Sequence, residues 1–508
     1  MAFQGVSTNA ENESKGNYEK LTPRGLDQKN GVSLLIIKHI YALLSSGYRR
    51  NTMAKITPFL FKWQDINSKS DLDRLKLVLD AIPDESLMKR MEAHRGKGRN
   101  DYPVRVMWNV LLAGIVYQHP SIESLRRELM RNAELRMICG FDPAQGSDAV
   151  PSSPAFTHFL KNLYRFKDHI KAIFDQLVEE ASALLPDLGT RLAFDGKAIS
   201  SAGKPSKKPS SDSRRDTDAN WGKHEYKGVD RKGKLWTKVK SWFGYKLHLL
   251  VDTTYELPMA FSVTRASASE RNQVIPLLED HIQSHPRAGA RRDILTADRG
   301  LDDHKLIESL YDAYQVKPVI DIRNCWKQEG DEVERISGQP VTRQLYEYDA
   351  DTIMYDYRGN VYCYCTVTHE HQLMAFKGYE KKRRTLKYLC PAKAYDMTCH
   401  CQSDCPHFMK SIRIPIGRDR RLFTPIARSS YKWNRLYASR TAVERVNSRV
   451  DVSYGFERHF IRGLSKMHMR LSLAMLVMLA MAVGHVKAGR KEMMRSLIKK
   501  PPPVAKAA

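Results

Sequence analysis

The chain has 508 residues, enough for two or three domains and a sizeable core. Its 83 Lys and Arg outnumber 57 Asp and Glu, which leaves a net charge of +26. An excess of that size argues against an enzyme of small metabolites and for a polyanionic partner, nucleic acid above all, bound with steep salt dependence through counterion release.

Residues 1–50 are polar, are punctuated by Asn, Gly, Ser and Lys, and carry no signal-peptide pattern, so they are expected to form a flexible basic and polar tail. Residues 51–188 are expected to form an all-α domain, with helical periodicity from about Ile56 to Leu185. The run from Val104 to Tyr117 is apolar nearly all round, which predicts a central helix. Ser121 is placed to cap a helix holding Leu125, Leu129 and Met130. Ser153 and Pro154 open another helix, ending near Phe166.

Over residues 189–322 the pattern turns to an α/β core. Strand one, Arg191 to Ser200, carries Asp195. A Lys-, Ser- and Pro-rich insert from Lys204 to Lys223 is expected to be a mobile loop that orders on nucleic acid. Trp242–Asp252 and Met259–Arg265 read as a hairpin. A helix from Glu270 to His281, strand four from Asp293 to Asp298, a helix from Asp302 to Tyr314 and a fifth strand from Val316 to Ile322 complete the series. This is the element order of a ribonuclease H-like core with a mixed five-stranded sheet, in which strands one and four are neighbours.

Residues 323–426 alternate β-like and basic runs and are too long for a loop, so a folded β-rich insertion is expected there. Residues 427–488 return to helices that complete the core, and 489–508 read as a flexible basic tail. The apolar run from Leu471 to Val486 falls short of the ~20 residues that span a bilayer, which predicts a buried core helix, no membrane association and a cytoplasmic chain. Met475, Met478 and Met481 are packing residues in this reading.

Two strand-end carboxylates, Asp195 and Asp298, and one helix carboxylate, Glu444, are what a two-metal phosphoryl-transfer site needs: cations ~3.5–4 Å apart share hard oxygen ligands from rigid elements. Tyr437, Arg440, Glu444 and Asp451 follow at steps of three, four and seven, which keeps them on one helix face. A phenol and a guanidinium there suit a DNA phosphate. Asp252, Asp302 and Asp303 are nearby acids for which turn and cap roles suffice.

The stretch WNRLYASRTAVERVNSRV and the segment through Val483 strongly resemble the C-terminal part of bacterial insertion-sequence DDE transposases with a Tyr-Arg-Glu-Lys signature. DANWGKHEYKG, SWFGYKLHLLVDTTYELPMAFSVTRASASE and TADRGLDDHKLIESLY resemble the family's catalytic core, and PVRVMWNVLLAGIVYQHPSIESLRRELMRNAELRMICGFD and VPSSPAFTHFL its helical N-terminal domain. The resemblance implies a catalytic triad of Asp195, Asp298 and Glu444 holding two Mg2+ ions, with Mn2+ able to substitute. It implies Tyr437 and Arg440 as phosphate ligands, double-stranded DNA as partner and a homodimer in the synaptic complex. The fourth signature place holds Asp451, not lysine, with Arg449 or Lys466 as stand-ins. Trp433, His459 and Arg462 are further candidates for DNA contacts, each equally open to a packing or surface role, and Lys381, Lys382, Arg383 and Arg384 make a patch on the insertion suited to phosphates, with a solvated charge run as the alternative. The helical domain is assigned DNA-end binding and dimer contact.

Six of the eight cysteines fall between Cys363 and Cys405. Clustering of that kind in a reducing compartment points to metal before disulfide. Cys390, Cys399, Cys401 and Cys405 are the candidate zinc ligands, with His400 and His407 as substitutes; reduced thiols are the alternative. For the whole chain the alternatives to a transposase are a non-catalytic DNA-binding relic of one and a ribonuclease H-like nuclease without strand transfer.

Overall fold

The computed structural model describes residues 71–96, 101–205, 216–229, 235–323, 325–326, 340–346 and 352–495. The expected tail 1–50, the start of the helical domain to residue 70, and residues 496–508 of the basic tail lie outside them.

Helices come first: α1 (Asp71–Ala81), α2 (Glu85–Arg95), α3 (Val104–Val116), α4 (Ile122–Arg131), α5 (Ala133–Cys139), α6 (Ser153–Leu163) and α7 (Lys167–Leu184). Every residue of α3 except Arg105 is buried, as its all-round apolarity predicts. Asp84, just ahead of α2, ties the two helices together. Its carboxylate takes Arg105 through both terminal nitrogens at 2.8 Å and Trp108 Nε1 at 2.5 Å. Ser121 caps α4 by accepting from Ser124 N at 3.1 Å. α6 opens at Ser153 and continues through a 3-10 turn to Phe166.

The sheet that follows has β1 (Arg191–Ser200), β2 (Asn220–Val229), β3 (Leu235–Asp252), β4 (Pro258–Arg265), β5 (Ile294–Ala297) and β6 (Lys317–Ile320). β3 pairs antiparallel with β1, β2 and β4, while β1, β5 and β6 run parallel in that order. Six strands stand where five were expected. The addition is β2, which begins inside the insert read as a loop and pairs with the first half of an 18-residue β3. Among its described side chains only Gly222 is buried, and residues 236–241 opposite are exposed. With no core face, this ribbon has no apolar alternation for the sequence to display.

Helices α8 (Arg271–Ser284), α9 (Pro286–Ala290) and α10 (His304–Asp312) flank the parallel strands. α8 buries His281 completely, its Nδ1 2.9 Å from Nδ1 of His285, whose Nε2 lies 3.1 Å from Asp175. Burial first, then the charges of His285, Arg292 and Lys171, push His281 down to about 3 from 6.5. A folded value below the unfolded one means the unfolded chain takes up the proton first as pH falls. Stability from this group is therefore full above about 6.5 and is lost as pH drops toward 3. The variant His281→Gln is expected to flatten the rise of unfolding free energy with pH by up to ~1.4 kcal/mol per pH unit in that window. Urea titrations at stepped pH measure this, and an unchanged slope contradicts it.

The insertion is β-rich among its described residues. One small sheet has the order β10 (His371–Leu373), β9 (Val361–Tyr364), β8 (Ile353–Tyr355), β7 (Arg343–Gln344); a second joins β11 (Ala375–Glu380), β12 (Thr385–Leu389) and β13 (Ser411–Pro415), with α11 (Pro391–Tyr395) after β12. Leu345, Ile353, Tyr388, Ile414 and Phe423 share a buried cluster with Tyr311 of α10 and Ile322.

Three α-helices follow among the described residues: α12 (Tyr431–Ala438), α13 (Thr441–Val452) and α14 (Leu464–Lys487). α14 spans 24 residues, longer than the apolar run suggested, and has the length and hydropathy to cross a membrane. Inside the protein 89% of its apolar window is buried. It packs on α1 and α7 from the other end of the chain, so closely at Gly484 that a Cβ there would stand 2.6 Å from Leu77.

Candidate active site

Arg191, Leu192 and Ala193 of β1 pair in parallel with Ile294, Leu295 and Thr296 of β5. That pairing ends two residues short of Asp195 on β1 and two residues short of Asp298, which follows β5. Asp298 stands just past the end of β5, as expected, and its Oδ1 accepts from Gly300 N at 2.8 Å. Asp195 is not at a strand end. β1 runs on to Ser200 against β3, and only its pairing with β5 stops before Asp195. Burial lifts the Asp195 carboxyl from 3.8 to about 7; the negative charges of Glu270 and Asp298 add to the rise, while the Gly196 N–H and Arg440 oppose it.

Glu444 does not lie in mid-helix. α12 ends at Ala438, and α13 begins at Thr441, so Glu444 occupies the first turn of α13, where a carboxylate complements the helix dipole. The spacing survives the break. Arg440 reaches Glu444 at 2.7 Å and stands 5.9 Å from the Tyr437 ring, which stacks on Trp433 at 4.7 Å. The Glu444 side chain is 49% exposed and is turned to Arg440. Among the described residues no three His, Cys, Asp or Glu side chains are gathered so as to hold a metal ion. α13 does lie along β1: Asn447 donates to Asp195 Oδ2 at 3.0 Å, and Asp451 takes Lys197 Nζ at 2.5 Å. A step of four on the helix and two on the strand both advance ~6–7 Å, so the two contacts form rungs of one ladder.

Residues 188–480, more than half of the chain, match the family model described as a transposase DDE domain. The chain belongs to the DDE transposase family. Residues 62–162 of this transposase also match the model described as Transposase domain (DUF772), which covers most of α1 through α6. No curated protein matches it. A solved structure, titled as a cryo-EM structure of a piggyBac transposase synaptic complex with hairpin DNA, is similar at 13% identity and a TM-score of 0.34, covering 86% of this chain and 80% of that one.

Other predicted residues fall into distinct places in the transposase. Trp433 is 2% exposed and shares a cluster with Ile294, Val319, Ile426 and Leu436, so its place is under Tyr437 and not on a surface open to DNA. Arg449 is turned away from the carboxylates: it bonds Glu256 and Arg495 O, and burial lowers its pKa. Lys466 is exposed in the first turn of α14. His459 accepts from Ile461 N, and Arg462 lies exposed near Ala202 O. Lys381, Lys382, Arg383 and Arg384 are exposed on the turn between β11 and β12, with Arg383 near Glu380 and Arg384 paired to Asp312. Of the competing acids, Asp252 binds its turn through the Thr254 and Tyr255 N–H groups. Asp302, expected as a helix cap, instead pairs with Arg421; Asp303 caps α10.

The cysteine cluster proves wider than its four candidate ligands. Cys399 and Cys401 hold their sulfurs 3.7 Å apart, near the ~3.8 Å edge of a zinc–thiolate tetrahedron. Cys363 is pushed up to about 12 by burial and by Cys390, Cys405 and Cys399. Thr368 lowers the Cys365 thiol, while burial and then Cys365 itself raise that of Cys401. Cys363 lies on β9 and Cys365 just past its end, and all six cysteines of the segment are free.

Glu270, Asn447 and Lys197 were not picked out in the sequence. Asn447 lay in view, three residues after Glu444 on the same helix, but an amide gives no reason to be singled out. Glu270 and Lys197 carried no spacing signal.

Proposed function

We propose that this DDE transposase binds the ends of an insertion sequence, cleaves them and joins the 3′-hydroxyl ends to target DNA on a ribonuclease H-like core. The parallel pairing of β1 with β5, which ends two residues short of both Asp195 and Asp298, supports this reading, together with the Arg440–Glu444 pair at the start of the helix that lies along β1. The donor set is hard carboxylate oxygen, the chemistry that suits Mg2+ or Mn2+. Asp195 and Asp298 would hold the ions, joined by Glu444 once it leaves Arg440. When bound, two such ions stabilise the attacking and leaving oxygens of each in-line displacement.

The protein's own residues supply the rest. Arg440 is the cation nearest the carboxylates, so an incoming DNA phosphate competes with Glu444 for it. Tyr437, held by its stack on Trp433, offers its hydroxyl to the same phosphate. Asn447 fixes the Asp195 rotamer. The +26 net charge holds the DNA, with the patch Lys381–Arg384 as an outlying contact.

The test is a nicking assay on a duplex carrying an element end, followed by joining of pre-cleaved ends. Mg2+-dependent nicking and joining are expected. Tight binding without nicking would favour the non-catalytic relic; nicking without joining would favour a nuclease. For the thiols a structural zinc held by Cys390, Cys399, Cys401 and Cys405, with His400 and His407 as substitutes, is proposed against the alternative of reduced thiols. Protein purified without added zinc is expected to carry about one equivalent, and less than half would remove the idea.

A further inference from the structure

β3 is 18 residues long, and only its part from Gly244 onward pairs with β1. The part before it pairs with β2 alone, so the two strands leave the sheet as a two-stranded ribbon. The root of the ribbon is fixed. Asn220 Nδ2 donates to Ser267 Oγ at 2.7 Å, and Trp242 Nε1 donates to Tyr245 O at 3.0 Å. The Trp242 ring lies so close over Gly222 that a Cβ there would stand 2.4 Å from it. A two-stranded ribbon with nothing packed on it is marginal in water, and this one leaves Trp236 44% exposed.

Strand alternation sorts the side chains. The register pairs Gly222 with Trp242, His224 with Lys240 and Gly228 with Trp236, so one face carries His224, Trp236, Lys238, Lys240 and Trp242. His224, Trp236, Lys238 and Lys240 on that face are exposed. Glu225, the one acid among the ribbon's described side chains, stands on the opposite face across from Val239. Glycine opposite a tryptophan in a strand marks a place that another molecule can approach closely.

Charge selects the occupant. A second copy of this chain would bring its own +26 against the two lysines, whereas a phosphate backbone complements them. Reach selects its form. Lys240 and Lys238 stand nine and eleven residues before Leu249, the partner of Asp195, up to ~30–37 Å along the strand. One turn of B-DNA is about as long, ~34 Å, and a major groove admits a two-stranded ribbon.

We propose that this face of the β2–β3 ribbon is a docking surface for duplex DNA, with Lys238 and Lys240 as phosphate contacts and Trp236 as the apolar contact beside them. This rests on the transposase reading above and adds a DNA contact outside both the carboxylate region and the insertion.

The experiment measures binding of the full-length protein to a fluorescein-labelled duplex of arbitrary sequence by anisotropy over a series of salt concentrations, and to the labelled single strand alone. Sedimentation without DNA gives the oligomeric state of each variant, and a thermal melt checks its folding. Lys238→Gln/Lys240→Gln is expected to weaken duplex binding about tenfold or more and to lower the slope of log affinity against log salt by about 2. Lys305→Gln/Lys393→Gln, which removes the same charge from exposed lysines elsewhere, is expected to weaken it less than about threefold. Trp236→Thr keeps a residue suited to a strand and is expected to cost about fivefold with the slope unchanged. Equal losses in the two lysine pairs would reduce the ribbon to one part of a general positive field and overturn the proposal. So would a loss confined to the single strand, or a dimer that the ribbon variants dissociate at full DNA affinity. Wild-type affinity and slope in Lys238→Gln/Lys240→Gln would overturn it and leave the transposase reading standing. No duplex binding by the wild-type chain would sink that reading as well.

Discussion

Replacing Asp195, Asp298 or Glu444 singly by its amide is expected to lower element-end cleavage by at least ~10³-fold, about 4 kcal/mol of transition-state stabilisation, while DNA affinity stays near wild type. The two effects separate because they come from different parts of the molecule. Binding draws on the whole +26 charge, which one neutralised acid raises slightly. Cleavage draws on one small group of oxygens. Residues that act as a unit fail together, so the Asp195→Asn/Asp298→Asn double variant should cleave no more slowly than either single one. Cleavage by any of the three within about tenfold of wild type would remove that residue from the site. Arg440→Ala should behave differently. It releases Glu444 from its 2.7 Å ion pair and removes a phosphate ligand, so a partial loss is expected, larger at low DNA concentration.

The largest stability effect is expected far from the carboxylates. Asp84 is 3% exposed and is the common acceptor for Arg105 and Trp108 of α3. Burial lifts its carboxyl above the ordinary value although both donors pull it down. Asp84→Ala would strand a guanidinium and an indole N–H against the most buried helix of the N-terminal half, at a cost of about 3 kcal/mol. Asp84→Asn keeps one acceptor oxygen and should lose roughly half as much. Chemical denaturation without DNA reads both. An Asp84→Ala loss under ~1 kcal/mol would mean the α2–α3 junction is held by apolar contact alone.

Local periodicity carried much of this structure. The central helix α3, the Ser121 cap, the strand holding Asp195 and the buried α14 each follow from residues within one element, and hydrophobic pattern reports on single elements. Asp195 and Asp298 were legible for the same reason: each follows an apolar run whose burial makes a carboxylate conspicuous. β2 was not legible, because an exposed ribbon writes no apolar alternation. Trp433 and Arg449 were candidates for DNA contact from the family resemblance, yet Trp433 is buried and Arg449 half-buried, and they are taken up by packing and by Glu256. Asp451, a departure from the family signature, is joined to Lys197, 254 positions away.

The amino-acid order alone pointed to a polyanionic partner, marked the three separated acids and gave the helical-then-α/β succession, since charge and periodicity are properties of the unfolded string. Which groups meet Asp195 was decided in three dimensions. Glu270 packs on the Gly196 backbone next to it, and Asn447 reaches it because a helix from late in the chain lies along the first strand. Contacts between distant segments depend on docking and close approach, and no local pattern encodes them.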